Sequence, residues 1–247
     1  MTSHVIVIGG SDSSGGAGLS RDVATLAELG REARPVLTAV TAQTHRAVAA
    51  ITLMDPQLVA RQLIAAFETG PVGAVKIGML GNGAIVAAIA KVLAQYRPVP
   101  VVIDPVIASS SGRRLLSDDG LEALKHILIP LCRVVTPNLP EASILTGTDL
   151  AACAQDVEAQ ARVLQSYGAQ FALIKGGHGE GAEAIDWLFG GPAPHRLSAP
   201  RLPVTLRGTG CTLAAAIAAY LADDQTTRRS CSLAKDFLSK KLRRRVT

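Results

Sequence analysis

His4-Val5-Ile6-Val7-Ile8-Gly9-Gly10-Ser11-Asp12-Ser13-Ser14-Gly15-Gly16-Ala17-Gly18 stands almost at the start of the chain. His4 to Ile8 is a short β-branched run and reads as a buried strand. A glycine-rich polar turn follows it, and then a helical pattern from Leu19 to Leu29. Strand, glycine turn and helix together make a ligand-binding unit at the carboxyl end of a strand. The turn lacks the Lys-Ser/Thr that closes a phosphate loop, and it lacks the GxGxxG spacing of a dinucleotide site. Its small residues instead let something planar lie close to the backbone. Asp22 falls on the first turns of the helix, on the side near the loop. It reads equally as a helix-start acid favoured by the dipole.

The same alternation continues along the chain. Strands are expected at 35–42, 48–53, 74–77, 100–103, 133–136 and 171–174, with an antiparallel pair at 185–189 and 196–202. Helices are expected at 57–68 behind Asp55-Pro56, at 84–96 behind Asn82, at 118–128, at 155–167 and at about 228–242. Alternating strands and helices predict an α/β fold, with a mostly parallel sheet covered on both faces. Most polar and glycine clusters fall just after strands, so the binding groups converge on one edge of that sheet. No internal repeat or linker interrupts the pattern, and residues 1–247 read as a single domain.

Several of those clusters carry chemistry. Arg207-Gly208-Thr209-Gly210-Cys211-Thr212 precedes the apolar run Leu213 to Leu221 and reads as a glycine turn feeding a helix. Gly208 and Gly210 permit positive φ and close approach to a ligand, and the helix start offers an anion site. A cysteine in that first turn has its thiol pKa lowered from about 8.5, with Arg207 adding to the effect. The alternative is a tight loop with a small buried cysteine. Gln43 ends a strand with an amide that can donate and accept in one plane, which suits the edge of a heterocycle. Asp104 ends the strand at 100–103, facing the crevice. Asn138 and Glu141 lie three residues apart at a strand-to-helix turn. They suit magnesium, or else they form a capping pair.

Composition bounds the function. Hydrophobic content of 48% in 247 residues is ample for a core, and aromatic content is only 3%. No apolar run reaches the length of a membrane span, and no signal peptide is apparent, which predicts a cytoplasmic protein. Cys132, Cys153, Cys211 and Cys231 are far apart and form no metal-ligand spacing. Part of the net charge of +5 sits in the tail on Lys240, Lys241, Arg243, Arg244 and Arg245. No groove-reading partners accompany it, so nucleic-acid binding is not expected.

The residues resemble a known family. Gly9 to Gly18, Thr38-Ala39-Val40-Thr41-Ala42-Gln43, Lys76-Ile77-Gly78-Met79-Leu80, Asp104-Pro105-Val106, Thr136-Pro137-Asn138-Leu139-Pro140-Glu141, Lys175-Gly176-Gly177-His178 and Gly208-Thr209-Gly210-Cys211-Thr212 occur in the order of the hydroxymethylpyrimidine/phosphomethylpyrimidine kinases of thiamine biosynthesis. That family is ribokinase-like. The resemblance implies a pyrimidine pocket lined by Gly10, Asp22, Gln43, Met79 and Val106. It implies Cys211 beside the substrate hydroxymethyl, partly as thiolate and taking the alcohol proton, with Gly208 and Gly210 in the anion hole. Lys175, Asn138 and Thr209 are assigned to the nucleotide, and Asp104 and Glu141 to magnesium. ATP and Mg2+ are the implied cofactors, and a homodimer the implied assembly. Leu206-Arg207 replace the family's usual Thr-His, and Ser110 and Arg113 replace a lysine and an acid, all on the nucleotide side. Two alternatives stay open: a pyridoxal-type vitamin kinase, or a catalytically weak pyrimidine binder. A cysteine hydrolase would have to rely on His178.

Overall fold

A computed structural model describes residues 3–96, 98–109, 111–177, 181–203 and 206–245. Ser110 and His178 lie outside the described residues.

The strands are β1 (His4–Asp12), β2 (Ala33–Gln43), β3 (Val48–Leu53), β4 (Val72–Ile77), β5 (Val101–Ile103), β6 (Val134–Val135), β7 (Phe171–Lys175), β8 (Glu183–Phe189) and β9 (His195–Pro200). They form one sheet in the order β3-β2-β1-β4-β5-β6-β7-β8-β9. The central run from β2 to β7 is parallel, and β3, β8 and β9 add antiparallel edges. β1 pairs with β2 on one side and β4 on the other, so the chain reverses direction across the sheet there. Such a switch point opens a crevice at the strands' carboxyl ends.

Helices α1 (Gly18–Glu28), α2 (Pro56–Glu68), α3 (Gly83–Leu93), α4 (Asp118–Ala123), α5 (Leu139–Thr146), α6 (Ala154–Ser166), α7 (Thr209–Leu221) and α8 (Thr227–Arg243) cover both faces. Side-chain alternation divides each strand between two cores. Ile6, Ile8, Val75, Ile77 and Ile103 pack under Val59, Leu63, Ile85 and Ile89 of α2 and α3. Val5, Val7, Ala74 and Val102 pack under Leu26, Leu213 and Ile217 of α1 and α7. Lys76 shares a face with Ala74 by this alternation, so a lysine is directed beneath α1 and α7.

Most element boundaries agree with the sequence expectations to within about three residues. The helix expected at 118–128 differs. It is α-helical only through Ala123, widens into a π turn at Leu124–Leu128, and tightens into a 3-10 turn at Ile129–Leu131. Pro130 cannot donate to the carbonyl four residues back, so a regular ladder cannot run through it.

Candidate active site

The crevice has two sides, one of them built by the ends of β1, β2 and β4. Gly10 lies near the end of β1, beside Met79: a Cβ on Gly10 would lie 2.8 Å from the Met79 sulfur. Thr38 Oγ1 donates to Met79 O at 2.6 Å and fixes that turn. Asp12 organises the glycine loop, accepting from Ser14 N at 2.8 Å, Ser14 Oγ at 2.7 Å and Ala17 N at 2.9 Å. Burial opposes its ionisation, but hydrogen bonds from Ser14 and Gln43 and the nearby Arg207 outweigh that and hold its pKa below the ordinary value. Gln43 is tied to the same loop, its N–H donating to Ser13 Oγ at 2.8 Å. Val106 sits in a tight turn, its N–H donating to Asp104 O at 2.8 Å.

Behind this side lies a sealed ion pair. Lys76 Nζ is 2.8 Å from Asp22 Oδ2, and the side chains are 1% and 0% exposed. Asp22 is therefore no surface helix-start acid. Burial lifts its pKa to about 6 against the pull of Lys76, with Asp104 lifting it further. Its other oxygen, Oδ1, is buried and has no hydrogen-bond partner among the described residues. Lys76 stays charged: burial opposes this, but Asp22, Cys211 and Asp104 outweigh burial and raise its pKa.

Cys211 lies in the first turn of α7, close to this pair, and accepts a hydrogen bond from the Gly18 N–H. The expectation of a lowered thiol pKa is overturned. Burial pushes it up to about 11; Lys76 opposes that, while Asp22 and Asp104 push the same way. Arg207 does not help, because its guanidinium turns away. Arg207 Nη1 donates to Ser14 Oγ at 3.1 Å and Thr44 O at 3.0 Å, and Nη2 lies 3.6 Å from Asp12 Oδ2. It straps the β2–β3 turn to the glycine loop. The free-enzyme thiol is thus neutral, contrary to the partial thiolate expected from the helix dipole alone.

The other side of the crevice gathers around Lys175. Its Nζ is 2.8 Å from Asp104 Oδ1 and 4.0 Å from Glu141 Oε2. Burial works against its charge, and Asp104 and Glu141 outweigh it and raise its pKa. Glu141 is lifted to about 7 by burial, with Lys175 opposing and Asp104 adding. Asn138 and Glu141 are indeed a reciprocal capping box on α5: Asn138 Oδ1 accepts from Glu141 N, and Glu141 Oε2 from Asn138 N, each at 2.8 Å. The cap and the site coexist, since the capped carboxylate also faces Lys175. Gly208 takes φ of 75° ahead of α7, and a Cβ there would lie 2.5 Å from Gly16 O. Gly210 is helical and does not use positive φ. It is small for another reason: a Cβ there would lie 3.3 Å from both Asp104 Oδ2 and Lys175 Nζ. Thr209 opens the helix, whose first N–H groups lack intrahelical acceptors.

A family model described as phosphomethylpyrimidine kinase matches residues 12–247. The chain belongs to the phosphomethylpyrimidine kinase family. It is 42% identical over 239 residues to a hydroxymethylpyrimidine/phosphomethylpyrimidine kinase of Rhizobium meliloti, covering 96% of this chain and 90% of that protein. It is also 42% identical over 240 residues to the thiamine biosynthesis bifunctional protein ThiED of Geobacter sulfurreducens, covering 97% of this chain but 49% of that longer protein. The chain therefore spans about half the length of that bifunctional relative. Among solved structures, pyridoxal kinase from Staphylococcus aureus in complex with AMP-PCP and pyridoxal superposes with a TM-score of 0.89 at 30% identity, covering 98% of this chain and 88% of that one. The fold is ribokinase-like, and as a member of this kinase family the chain is a phosphotransferase that uses ATP.

In this kinase the structure brings Cys211, Asp22, Asp104, Lys175, Glu141 and Gly210 around one crevice. Gly10 and Met79 form one wall, and Gln43 and Val106 stand at strand ends nearby. Sequence reasoning missed Lys76 and the organising role of Asp12. The available signal for Lys76 was a lone lysine inside the apolar strand Val72–Ile77. Among the described residues no helix is long and apolar enough to cross a membrane.

Proposed function

We propose that this kinase transfers the γ-phosphoryl group of ATP to 4-amino-5-hydroxymethyl-2-methylpyrimidine, and then phosphorylates the monophosphate to the diphosphate in the same crevice. One observation carries this: a narrow wall of Gly10 and Met79 and the buried Asp22 converge with the first turn of α7 and the Lys175 cluster. The ring lies against Gly10 and Met79, between Gln43 and Val106. Asp22 is sealed behind that wall, so it acts on the ligand through its charge and not by contact.

Phosphoryl transfer of this kind has a loose transition state, so positioning and charge stabilisation dominate. The N–H groups at Thr209, Gly210 and Cys211 face developing negative charge, and Lys175 trades a carboxylate contact for a nucleotide phosphate beside Asn138. Cys211 touches the substrate alcohol and orients it. Because its thiol is neutral in the free enzyme, Cys211 does not take the alcohol proton; that proton passes, after the bond to phosphorus has largely formed, to an oxygen of the transferred phosphoryl group and from there to solvent.

Among the described residues no group of three or more His, Cys, Asp or Glu could hold a metal by itself. Asp104 and Glu141 nevertheless fit Mg2+, which takes one or two carboxylates together with waters and substrate phosphates. When bound, Mg2+ would neutralise phosphate charge at those two carboxylates. A homodimer acting in the cytoplasm completes the proposal; light scattering of the purified chain and cell fractionation test those two points.

Pyridoxal is the second acceptor to test, because the Staphylococcus aureus neighbour is a pyridoxal kinase. The experiment is ADP release with each acceptor, for wild type and Cys211→Ala. Faster turnover on the pyrimidine, falling about 10²-fold in Cys211→Ala, is expected. Preference for pyridoxal would replace the acceptor. No turnover on either would leave only a pyrimidine binder.

A further inference from the structure

A second buried lysine–carboxylate pair lies behind the Lys175 side of the crevice, where the reaction itself does not need one. Asp186 on β8 stands opposite Lys175 in the β7–β8 ladder. Its two oxygens have separate tasks. Oδ1 accepts the Gly176 N–H at 3.0 Å, and Oδ2 is held by Lys235 Nζ of α8 at 2.6 Å. The two side chains are 3% and 8% exposed. The Gly176 N–H also donates to Ile185 O at 2.9 Å, and a Cβ on Gly176 would collide with that carbonyl. The backbone leaving Lys175 is thus held by two acceptors at a position that no side chain fits. Arg201 holds the same region further on, donating from Nη1 to Gly177 O, from Nε to Gly181 O at 2.8 Å and from Nη2 to Glu183 O at 2.9 Å.

A buried ion pair is a poor means of gaining stability, because apolar residues of similar volume pack there as well or better. Its placement is informative instead. The only backbone group it holds among the described hydrogen bonds is the N–H next to Lys175. Lys175 in turn is the side chain that reaches Asp104 and Glu141.

We infer that Asp186 and Lys235 are positioning residues for the nucleotide: by anchoring Gly176 to α8 they fix the end of β7 from which Lys175 meets phosphate. This rests on the proposed role of Lys175 as a nucleotide-phosphate contact. It makes the C-terminal helix, far along the chain from the glycine loop, part of the support for ATP rather than for the pyrimidine.

The test separates the charge pair from the anchor. Asp186→Leu/Lys235→Met removes both charges and the acceptor for Gly176. Asp186→Asn/Lys235→Met removes both charges and keeps an acceptor. Circular dichroism melts check folding, and KM is measured for ATP and for the pyrimidine. The Leu/Met variant is expected to raise KM for ATP about tenfold and leave KM for the pyrimidine unchanged, while the Asn/Met variant stays within about twofold of wild type for both. Should the Leu/Met variant fail to fold, Asp186→Ala/Lys235→Met, with the smaller side chain, is measured the same way. An unchanged KM for ATP, or an equal rise in both KM values, overturns the inference. So does equal impairment of the acceptor-keeping and acceptor-removing variants. Lys175→Met is the control for the premise. If it raises KM for ATP while Asp186→Leu/Lys235→Met does not, only the positioning role fails; if it leaves KM for ATP unchanged, the role of Lys175 fails and the positioning role with it.

Discussion

Lys76 and Lys175 follow the same rule of construction and differ in what surrounds them. Each leaves a strand of the parallel sheet, and each sets its ammonium 2.8 Å from a carboxylate oxygen. Among the described residues Lys76 has one ion-pair partner, Asp22, and both are closed off from solvent. Lys175 is 13% exposed and stands between two carboxylates, Asp104 and Glu141. The closed pair has nowhere to send its charge, so it acts as a fixed dipole behind the wall of Gly10 and Met79. The open cluster holds more negative charge than its one lysine neutralises, and its partners are exchangeable. A phosphate can take the lysine, and a cation can take the carboxylates.

The contrast breaks most visibly at Lys76. Lys76→Met strands the Asp22 carboxylate in the core and is expected to cost about 3–5 kcal/mol, read as a lowered urea midpoint. Asp22→Asn/Lys76→Met should recover much of that loss, and a double variant as unstable as the single would show that the pair does not act as a unit. Next comes the open cluster. Glu141 has its pKa raised from 4.5 to about 7, so the folded state binds the extra proton between those values. Its contribution is therefore most favourable below about pH 4.5, is lost as pH rises to about 7, and is constant above. Asp22, raised from 3.8 to about 6, acts in the same direction over its own window. The unfolding free energy from urea titrations between pH 5 and 8 should fall with pH by the order of 2 kcal/mol, and less steeply in Glu141→Gln. A flat profile in wild type would contradict the buried, strained cluster. The smallest effect is expected outside both lysines. Arg207→Ala removes the strap between the β2–β3 turn and the glycine loop, at about 1 kcal/mol, and raises KM for the pyrimidine several-fold with little change in that for ATP. A change confined to the ATP constant would place Arg207 on the other side of the crevice.

How much of this was legible in the sequence depends on the range of the forces involved. Strands such as His4 to Ile8 and the cap at Asp55-Pro56 are local, and local patterning found them. The glycine positions were readable as close approaches, although Gly210 serves Asp104 and Lys175 rather than a positive φ. Cys211 shows where local rules stop. The helix dipole lowers a thiol pKa, but burial among Asp22 and Asp104 raises it more, and only the tertiary structure brings those carboxylates there. Lys76 was hidden for the same reason. Its partner Asp22 lies 54 positions earlier, and nothing in Val72–Ile77 announces it. Asn138 and Glu141 left two readings open, and the fold uses both.

The crevice also sets the order in which the protein can become active. Arg207 meets Ser14 across 193 positions of chain, and Gly208 rests against Gly16. Contacts of that separation close late, because the intervening chain must first be ordered. On refolding from urea, helical circular dichroism should therefore return before catalysis. During synthesis, β1 and its glycine loop emerge early but wait, without their partner, until α7 has left the ribosome. A chain that stops before Arg207 carries every strand of the described sheet and still lacks the helix start that closes the crevice.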